Sequence, residues 1–198
     1  VFQWPEDVGA AAFRRGSSVW IVFDRRTAIN LAPLRAQGAP LIDRIEQLPI
    51  TGATVLRIKT KPGINPSARR EGFDWVMEFR RQPIRPQQQV TIQAKADVDA
   101  GPQLIFPTVE PGNLINVFDP EIGDTIRVAA YKEPGLGVNG IRRYPEFQIL
   151  PSAQGVVIET FSDELLLDRS FDGFQLSSPE GLHISAVSPE TPVTSGPQ

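Results

Sequence analysis

The feature that most constrains the fold is a segment that occurs twice. The first copy, Arg14–Arg26, reads RRGSSVWIVFDRR, and the second, Arg69–Arg81, reads RREGFDWVMEFRR. Both copies begin and end with an arginine pair and carry a tryptophan at the same position, Trp20 or Trp75. A short turn before a run of β-branched and aromatic residues favours a hairpin. We therefore predict that each tryptophan is buried on the second strand of a hairpin.

An extended segment with a proline turn precedes each copy, at residues 1–8 and 54–64. In the second of these, Val55 alternates with Leu56, as expected for a strand with two different faces. Each unit is therefore predicted to be a three-stranded meander. A meander with one apolar face cannot bury that face alone, so we expect the copies to pack face to face. Residues 125–161 follow the same order without the arginines and tryptophan, which leaves a third copy open.

Proline and glycine are frequent, with 19 and 16 residues among 198, and this favours many short strands joined by turns. We predict an all-β fold of tandem β-meanders packed as β-sandwich-like units, with little helix. The expected domains are a duplicated meander domain at 1–98, a second β-domain at 99–187 and a flexible Pro/Ser-rich tail at 188–198. Residues 39–49 fit either a short helix or a strand, and residues 81–89 read as a surface linker.

Net charge differs in sign between the two halves of the chain. Residues 1–99 hold fifteen Lys and Arg against ten Asp and Glu, a net charge of +5, and residues 100–198 hold five against thirteen, a net charge of −8. This polarity favours either head-to-tail association of subunits or attraction between the halves inside one molecule. The acidic total, with a pI near 5.3, argues against nucleic acid as a partner.

The chain lacks cysteine, which excludes disulfides, thiolate metal sites and a cysteine nucleophile and is compatible with an oxidising compartment. No apolar run approaches the roughly 18 to 20 residues that span a bilayer. The sequence starts at Val1 in a strand-like segment and ends in linker-like residues. We therefore expect a fragment of a longer protein.

Two motifs resemble ligand sites without meeting their requirements. Gly135–Gly140 matches G-x-G-x-x-G, but the extended residues that follow it and Pro145 exclude the helix that a dinucleotide site needs. Asp119–Asp124 holds three carboxylates but lacks a calcium-binding loop pattern, so a hairpin turn is the better prediction. We expect neither a metal nor a cofactor.

Enzymatic chemistry has little support in the sequence. Glu159 with Asp163 or Glu164 is a nominal carboxylate pair for glycoside hydrolysis, but alternation along the strand places Glu159 in solvent. His183 is the only histidine, and no G-x-S-x-G elbow accompanies it. We expect no enzyme, with a carbohydrate-active enzyme as the most distant alternative.

The arginine pairs are the most specific candidate for a binding site. Guanidinium forks near aromatic side chains hold phosphate, carboxylate or sugar. Protection of strand edges by charged residues is the structural alternative. The predicted binding residues are Arg14, Arg15, Trp20, Arg69, Arg70, Phe73 and Trp75.

The stretch from Ile42 to Phe79, with its strand, proline turn and last hydrophobic strand, resembles the AMIN domain, and Phe2–Asp24 resembles the end of another such unit. The family's last strand usually ends in an acidic residue, which Asp24 matches and Arg80 does not. The resemblance implies a small β-sandwich of the bacterial envelope that binds peptidoglycan and positions partner proteins. The order Phe-x-Trp-Pro-Glu, paired arginines and Phe-Asp-Arg also resembles the N-terminal β-region of large tetratricopeptide-repeat envelope proteins of Gram-negative bacteria.

These resemblances lead to a functional expectation. We expect a non-enzymatic binding or scaffold module of the periplasm or cell envelope that contacts peptidoglycan, another anionic polymer or envelope proteins. The alternative is an assembly module that docks neighbouring subunits, including copies of itself, through strand edges or its oppositely charged halves.

Overall fold

A computed structural model describes residues 1–97 and 101–184 of the chain. These residues form mainly antiparallel strands and one short helix, which confirms the all-β prediction. The predicted tail at 188–198 lies outside the described residues. The elements in chain order are β1 (Ala10–Arg15), β2 (Ser18–Phe23), α1 (Leu31–Gly38), β3 (Ile42–Leu48), β4 (Thr54–Thr60), β5 (Ile64–Glu71), β6 (Asp74–Arg81), β7 (Gln88–Gln89), β8 (Gln93–Asp97), β9 (Gly101–Pro107), β10 (Pro111–Asp119), β11 (Asp124–Tyr131), β12 (Leu136–Gly137), β13 (Arg142–Arg143), β14 (Phe147–Leu150), β15 (Ser152–Gln154), β16 (Val156–Thr160), β17 (Leu166–Ser170) and β18 (Gly173–Ser177).

A ten-stranded sheet organises the described residues. Its main path runs β13-β14-β16-β11-β1-β2-β4-β3, with β10 paired to β11 and β15 paired to β1. A four-stranded sheet has the order β17-β18-β9-β8, the hairpin β5–β6 forms a two-stranded sheet, and β7 pairs in parallel with β12. Strands from the start and the end of the chain therefore lie side by side.

Three apolar clusters hold these sheets together. The first lies between β5–β6 and one face of β1, β2 and β4, where Trp75 and Met77 meet Val19 and Ile58. The second cluster, on the opposite face of β1, β2 and β4, contacts β10, β11 and β16. The third joins the far side of β11, β14 and β16 to β9 and β18 of the four-stranded sheet. The large sheet thus packs against part of itself and is flanked by a smaller sheet on each side.

The two copies of the arginine segment both form hairpins, as predicted, and both tryptophans are buried on the second strand. Their registers differ by two residues, because Trp20 pairs across the hairpin with Phe13 and Trp75 pairs with Arg70. The side chains also enter different cores, Trp75 the first cluster and Trp20 the second. The hairpins pack face to face but are not structurally equivalent.

The predicted three-stranded meander is wrong in its pairing. Strand β4 pairs with β2 and β3, whereas β5 pairs only with β6. The first lead-in forms only a single bridge, between Phe2 and Trp75. Alternation predicted the faces of β4 correctly, since Val55 lies in the second cluster and Leu56 in the first. Alternation fixes faces but does not select the neighbouring strand.

The predicted boundary near residue 98 does not separate the sheets. Strands from residues 10–60 and from residues 111–160 belong to the same ten-stranded sheet, joined where β1 pairs with β11 and β15. The open third copy corresponds to β11, β14 and β16, which are neighbours in that sheet. The segments before and after residue 98 therefore share a sheet and a core.

Residues 39–49 contain strand β3, which decides the open choice between helix and strand there. The short helix α1 lies just before it and begins after Asn30, whose side chain accepts from the Ala32 N–H at 3.1 Å. Arg35 of this helix donates to the Ile45 carbonyl at 3.3 Å, and so helps to cover the outer edge of β3. Residues 81–89 are largely irregular, as the linker prediction stated.

Candidate functional site

Arg15, predicted to be a binding residue, lies at the centre of a buried ion cluster. Its guanidinium donates to Asp119 Oδ2 at 2.7 Å, to Glu159 Oε1 at 2.6 Å and to both carboxylate oxygens of Asp124. Only 6% of its side chain is exposed. We call these four residues the arginine cluster. Three carboxylates already occupy the fork, so Arg15 has no free edge for an external anion.

The arginine cluster explains the opposite charges of the two halves. Arg15 comes from the basic half, and its three carboxylates come from the acidic half. Burial alone would lower the pKa of Arg15, but Asp124, Glu159 and Asp119 together raise it above its usual value. The halves therefore attract each other inside one molecule, which was one of the two alternatives predicted from charge.

Strand alternation predicted that Glu159 lies in solvent, and this prediction is wrong. It accepts from Arg15 and from Gln148 Nε2, and its side chain is largely buried. Alternation failed here because the outward face of β16 is covered by the side chain of Arg15.

Arg14 points to the other face of β1 and fixes the connection between β4 and β5. It donates to Asn65 Oδ1 at 2.7 Å, to Thr60 Oγ1 at 2.6 Å and to the Ile64 carbonyl at 2.5 Å. These acceptors are neutral, and burial lowers the pKa of Arg14. A half-buried arginine with three internal acceptors serves to join strands.

The second pair of predicted arginines is also held by internal partners. Arg69 is exposed and pairs with Glu71 and Glu78. Arg70 binds Asp7 and stacks over Trp75, with its guanidinium carbon 5.2 Å from the ring centroid. The structure therefore does not gather Arg14, Arg15, Arg69 and Arg70 on one cationic face.

The two tryptophans cannot stack on a ligand, because both rings are buried. Trp75 donates from Nε1 to the Val8 carbonyl at 2.8 Å, whereas the buried Nε1 of Trp20 has no hydrogen-bond partner in the described part of the chain. Phe73 is the one predicted aromatic residue that is exposed, with 53% of its surface accessible at the β5–β6 turn. Of the predicted binding residues, Phe73 alone combines an aromatic ring with exposure.

The two most exposed large apolar side chains of the described residues are Val109 and Phe171. Val109 is 84% accessible in the loop between β9 and β10, and Phe171 is fully exposed in the turn between β17 and β18. The Thr108 N–H donates to the Asp172 carbonyl at 3.1 Å, which places these two loops side by side.

Phe73 lies at the same end of the molecule as these loops. Arg70, at the base of its turn, donates to the Lys132 carbonyl at 3.2 Å, and the Lys132 N–H donates to the Glu110 carbonyl at 3.1 Å. Glu110 directly follows Val109. We call the surface that carries Phe73, Val109 and Phe171 the loop end.

A depression of about 660 Å³ opens at the loop end. Val109 and Phe171 stand at its border, the buried Val90 lies at its base, and Gln93 of edge strand β8 forms another wall. Side chains 93–96 of β8 are all exposed. The depression thus lies between exposed apolar side chains and an exposed strand.

Free charge at the loop end is mainly acidic. Glu110 and Asp172 are exposed there without an ion pair among the described residues, whereas exposed Glu71 pairs with Arg69. The nearby cations Arg70 and Lys132 both pair with Asp7. Desolvation would raise the pKa of Asp7, but these two cations hold it below its usual value. An apolar surface with an acidic surround matches a ligand surface with basic groups at its border.

Sequence reasoning missed Val109 and Phe171, although both carried a signal. Each is a large apolar residue in a turn, Val109 between Thr108 and Glu110 and Phe171 directly before Asp172 and Gly173. Such turns normally hold polar residues. An apolar side chain there has no strand partner to bury it and stays in solvent.

The remaining motifs have structural roles in the described residues. Gly135–Gly140 forms strand β12 and a loop, with extended residues after it, as predicted. Asp119–Asp124 is the β10–β11 hairpin turn, as predicted, and supplies Asp119 and Asp124 to the arginine cluster. His183 is exposed, with Nδ1 lying 3.3 Å from Glu146 Oε2.

Among residues 1–97 and 101–184, no group of three or more metal-ligating side chains is placed to hold a metal ion. Over the same residues, no helix has both the length and the apolar character needed to cross a bilayer. Comparisons with protein-family models, with curated proteins and with solved structures found no match.

Proposed function

We propose that this chain is a non-enzymatic scaffold module of a bacterial cell envelope that docks a partner protein at the loop end. The observation that carries the proposal is the exposure of Val109 and Phe171 on adjacent loops, with exposed Phe73 on a turn that Arg70 and Lys132 link to the first of these loops. Large apolar side chains that protrude together from loops mark interaction surfaces on soluble domains. Val109 and Phe171 are also the two most exposed large apolar side chains of the described residues, whereas most of the apolar sequence is buried in the three clusters.

The partner is expected to present an apolar surface with basic side chains around it. Glu71, Glu110 and Asp172 lie around the apolar residues. Glu71 pairs with Arg69, but neither Glu110 nor Asp172 forms an ion pair with the described residues. Such complementarity raises the association rate and weakens with salt. It also disfavours an anionic membrane or anionic polymer as the occupant of this surface.

Strand β8 provides a second element of the same surface. It is an edge strand of the four-stranded sheet, and it borders the depression beside Phe171. A partner that adds a strand to β8 would place alternate side chains at the depression. Docking through a strand edge, the alternative function predicted from the sequence, would therefore take place at the loop end.

The envelope location and the absence of catalysis are parts of the proposal that rest on the sequence. The AMIN-like pattern of Ile42–Phe79 supports the location. The internal partners of the predicted arginines weaken the version in which a cationic face holds peptidoglycan.

Site-specific photocrosslinking in cells tests the proposal. A photoreactive phenylalanine analogue at Phe171 is expected to give a recurrent protein adduct. The adduct should disappear when Phe73 and Val109 are both changed to Ser. The purified partner should then bind the purified chain with an affinity that falls as salt is raised, and Phe171→Ser should remove that binding.

Phe161 supplies the matched control, since it is 63% exposed but lies after β16, away from the loop end. Phe161→Ser should leave partner binding unchanged. Equal loss in Phe161→Ser and Phe171→Ser would contradict docking at the loop end. Pelleting of the chain with purified peptidoglycan sacculi that survives all these substitutions would replace the proposal with the cell-wall version. Self-association on sedimentation that is lost in Phe171→Ser would identify a second copy of the chain as the occupant.

A further inference from the structure

A second depression, separate from the loop end, lies on the outer part of strands β2, β3 and β4. Its volume is about 360 Å³. Lys59 lies at the centre of its floor, opposite Ser18 on β2 and Arg44 on β3. Pro120 and Glu121, from the β10–β11 turn, form a wall. We call this site the basic depression.

Arg57 is the most informative residue of the basic depression. Its Nε and Nη2 bind Glu46 Oε1 at 2.6 and 2.5 Å. The remaining nitrogen, Nη1, is buried and has no hydrogen-bond partner among the described residues. The nearest carboxylate oxygens, on Asp119 and Glu121, lie 3.8 and 3.6 Å away, beyond hydrogen-bond distance. A buried guanidinium nitrogen without an acceptor at hydrogen-bond distance is unfavourable, so an acceptor that displaces the exposed side chain of Glu121 is expected to bind there.

The charge of the site indicates how many negative charges it accepts. Arg44, Arg57 and Lys59 give three positive charges, and Glu46 and Glu121 give two negative charges, a net charge of +1. Lys59 is exposed and forms no ion pair with the described residues. Asp119 is left out of this balance because it does not line the depression, although its Oδ1 lies 3.8 Å from Arg57 Nη1. The site therefore matches one negative charge, whereas a phosphate dianion would exceed it.

We infer that the basic depression binds a single carboxylate group of a ligand. One carboxylate oxygen accepts from Arg57 Nη1, and the other faces Lys59 and the hydroxyls of Ser17 and Ser18. Glu121 is 64% exposed and competes for the same nitrogen from 3.6 Å. Its side chain has the freedom to move away when a ligand carboxylate enters.

Titration of the whole chain followed by amide NMR tests the inference. N-acetylglycine, which carries a terminal carboxylate, is expected to shift the amides of Ser17, Ser18 and Lys59. N-acetylglycinamide, its neutral match, is expected to leave them in place. N-acetylaspartic acid α-amide presents a side-chain carboxylate, and the tighter of the two acids identifies the source. Inorganic phosphate should bind more weakly than either acid.

Variants separate this site from general attraction to the surface. Lys59→Gln should weaken N-acetylglycine binding about two- to fivefold, as expected for an exposed charge. Glu121→Gln should strengthen it by a similar factor, because the competing carboxylate is removed. Arg57→Gln should abolish saturable binding. Lys61→Gln is the matched control, since Lys61 lies just beyond β4, pairs with Asp43 and does not line the depression.

Several outcomes would overturn the inference. These are equal shifts with N-acetylglycine and N-acetylglycinamide, tighter binding of phosphate, or an unchanged affinity in both Lys59→Gln and Glu121→Gln. If Arg57→Gln fails to fold, Lys59→Gln and Glu121→Gln still test the inference, because both residues are exposed and Lys59 makes no ion pair among the described residues.

Discussion

The hairpins β1–β2 and β5–β6 have nearly the same sequence pattern but different positions in the molecule. Hairpin β1–β2 lies in the middle of the ten-stranded sheet, with β11 and β15 on one side and β4 on the other. Hairpin β5–β6 forms its own sheet and covers one face of the first hairpin. One copy is therefore covered on both faces, and the other covers it.

A shift of one residue in the turn produces much of this difference. The turn residues are Gly16 and Ser17 in the first hairpin and Gly72 and Phe73 in the second. Moving the turn by one position moves the cross-strand partner of the tryptophan by two, from a phenylalanine to an arginine. The comparison shows that a repeated sequence preserves an element while its register decides the surroundings of each side chain.

The largest expected effect comes from the arginine cluster, which has no counterpart in the second hairpin. Arg15→Met leaves Asp119 and Glu159 buried without their cation, and we expect a loss of about 3–5 kcal/mol in the free energy of unfolding. Urea denaturation followed by tryptophan fluorescence measures it. Arg70→Met, at the matching position of the second copy, should lose only about 1–2 kcal/mol, since one half-exposed carboxylate is affected.

Arg69→Met is the control for the loss of an exposed arginine and should leave the denaturation midpoint unchanged. Similar losses in Arg15→Met and Arg70→Met would mean that the hairpins are equivalent after all.

The tryptophans give the next largest difference. Trp75→Phe removes the donor to the Val8 carbonyl and leaves that buried acceptor unsatisfied, which should cost about 2–3 kcal/mol together with the lost volume. Trp20→Phe removes a donor that has no partner within residues 1–97 and 101–184, so its cost should be smaller by about 1 kcal/mol or more. Thermal and urea unfolding of both variants measure the difference. A larger loss in Trp20→Phe would contradict the assignment of the two environments.

Local pattern predicted the elements well and their neighbours poorly. Turn residues and apolar runs located both hairpins and the β10–β11 turn, and alternation placed Val55 and Leu56 on the correct faces. Pairing of β1 with β11 and β15 depends on residues more than a hundred positions away, which no local period encodes.

The candidate sites show the same contrast between what local sequence pattern predicts and what depends on distant residues. The opposite charges of the halves indicated internal attraction as one alternative, but the choice of Arg15 as its centre depends on which strands are adjacent. Phe73 was predicted to be a binding residue, but its neighbours at the loop end come from distant turns. Whether Arg57 Nη1 forms a hydrogen bond depends on its distances to Asp119 and Glu121, and no sequence pattern gives these distances.

The turn glycines are expected to behave alike in the two hairpins. Gly16 and Gly72 have φ angles of +57° and +63°, and a Cβ at either position would meet nothing within 4 Å. Gly16→Ala and Gly72→Ala should therefore each cost about 1 kcal/mol from backbone strain alone. Urea denaturation should give equal values within error. A much larger loss in one variant would show that its turn tolerates less adjustment than the geometry implies.

The smallest expected effect concerns two carboxylates, one near each hairpin, whose pKa values shift in opposite directions. Asp24, after β2, accepts from the Gly9 and Asn113 N–H groups at 2.8 Å, yet burial outweighs these bonds and raises its pKa. Burial also disfavours ionised Asp7, but Arg70 and Lys132 lower its pKa overall. A carboxylate whose pKa is lowered by folding stabilises the fold above about pH 4, and this stabilisation is lost as the group is protonated in acid. A carboxylate whose pKa is raised by folding destabilises the fold above that pH, and this cost disappears in acid.

Asp7→Asn should therefore reduce the loss of stability between pH 7 and about pH 3, because its contribution no longer disappears as the carboxylate is protonated. Asp24→Asn should increase that loss, because the wild-type chain is relieved of a buried charge as the pH falls and the variant is not. Urea denaturation at a series of pH values measures both slopes relative to the wild type. Changes of the same sign in the two variants would show that the carboxylates beside the two hairpins share one environment, and the contrast between the hairpins would then be confined to Arg15 and the tryptophans.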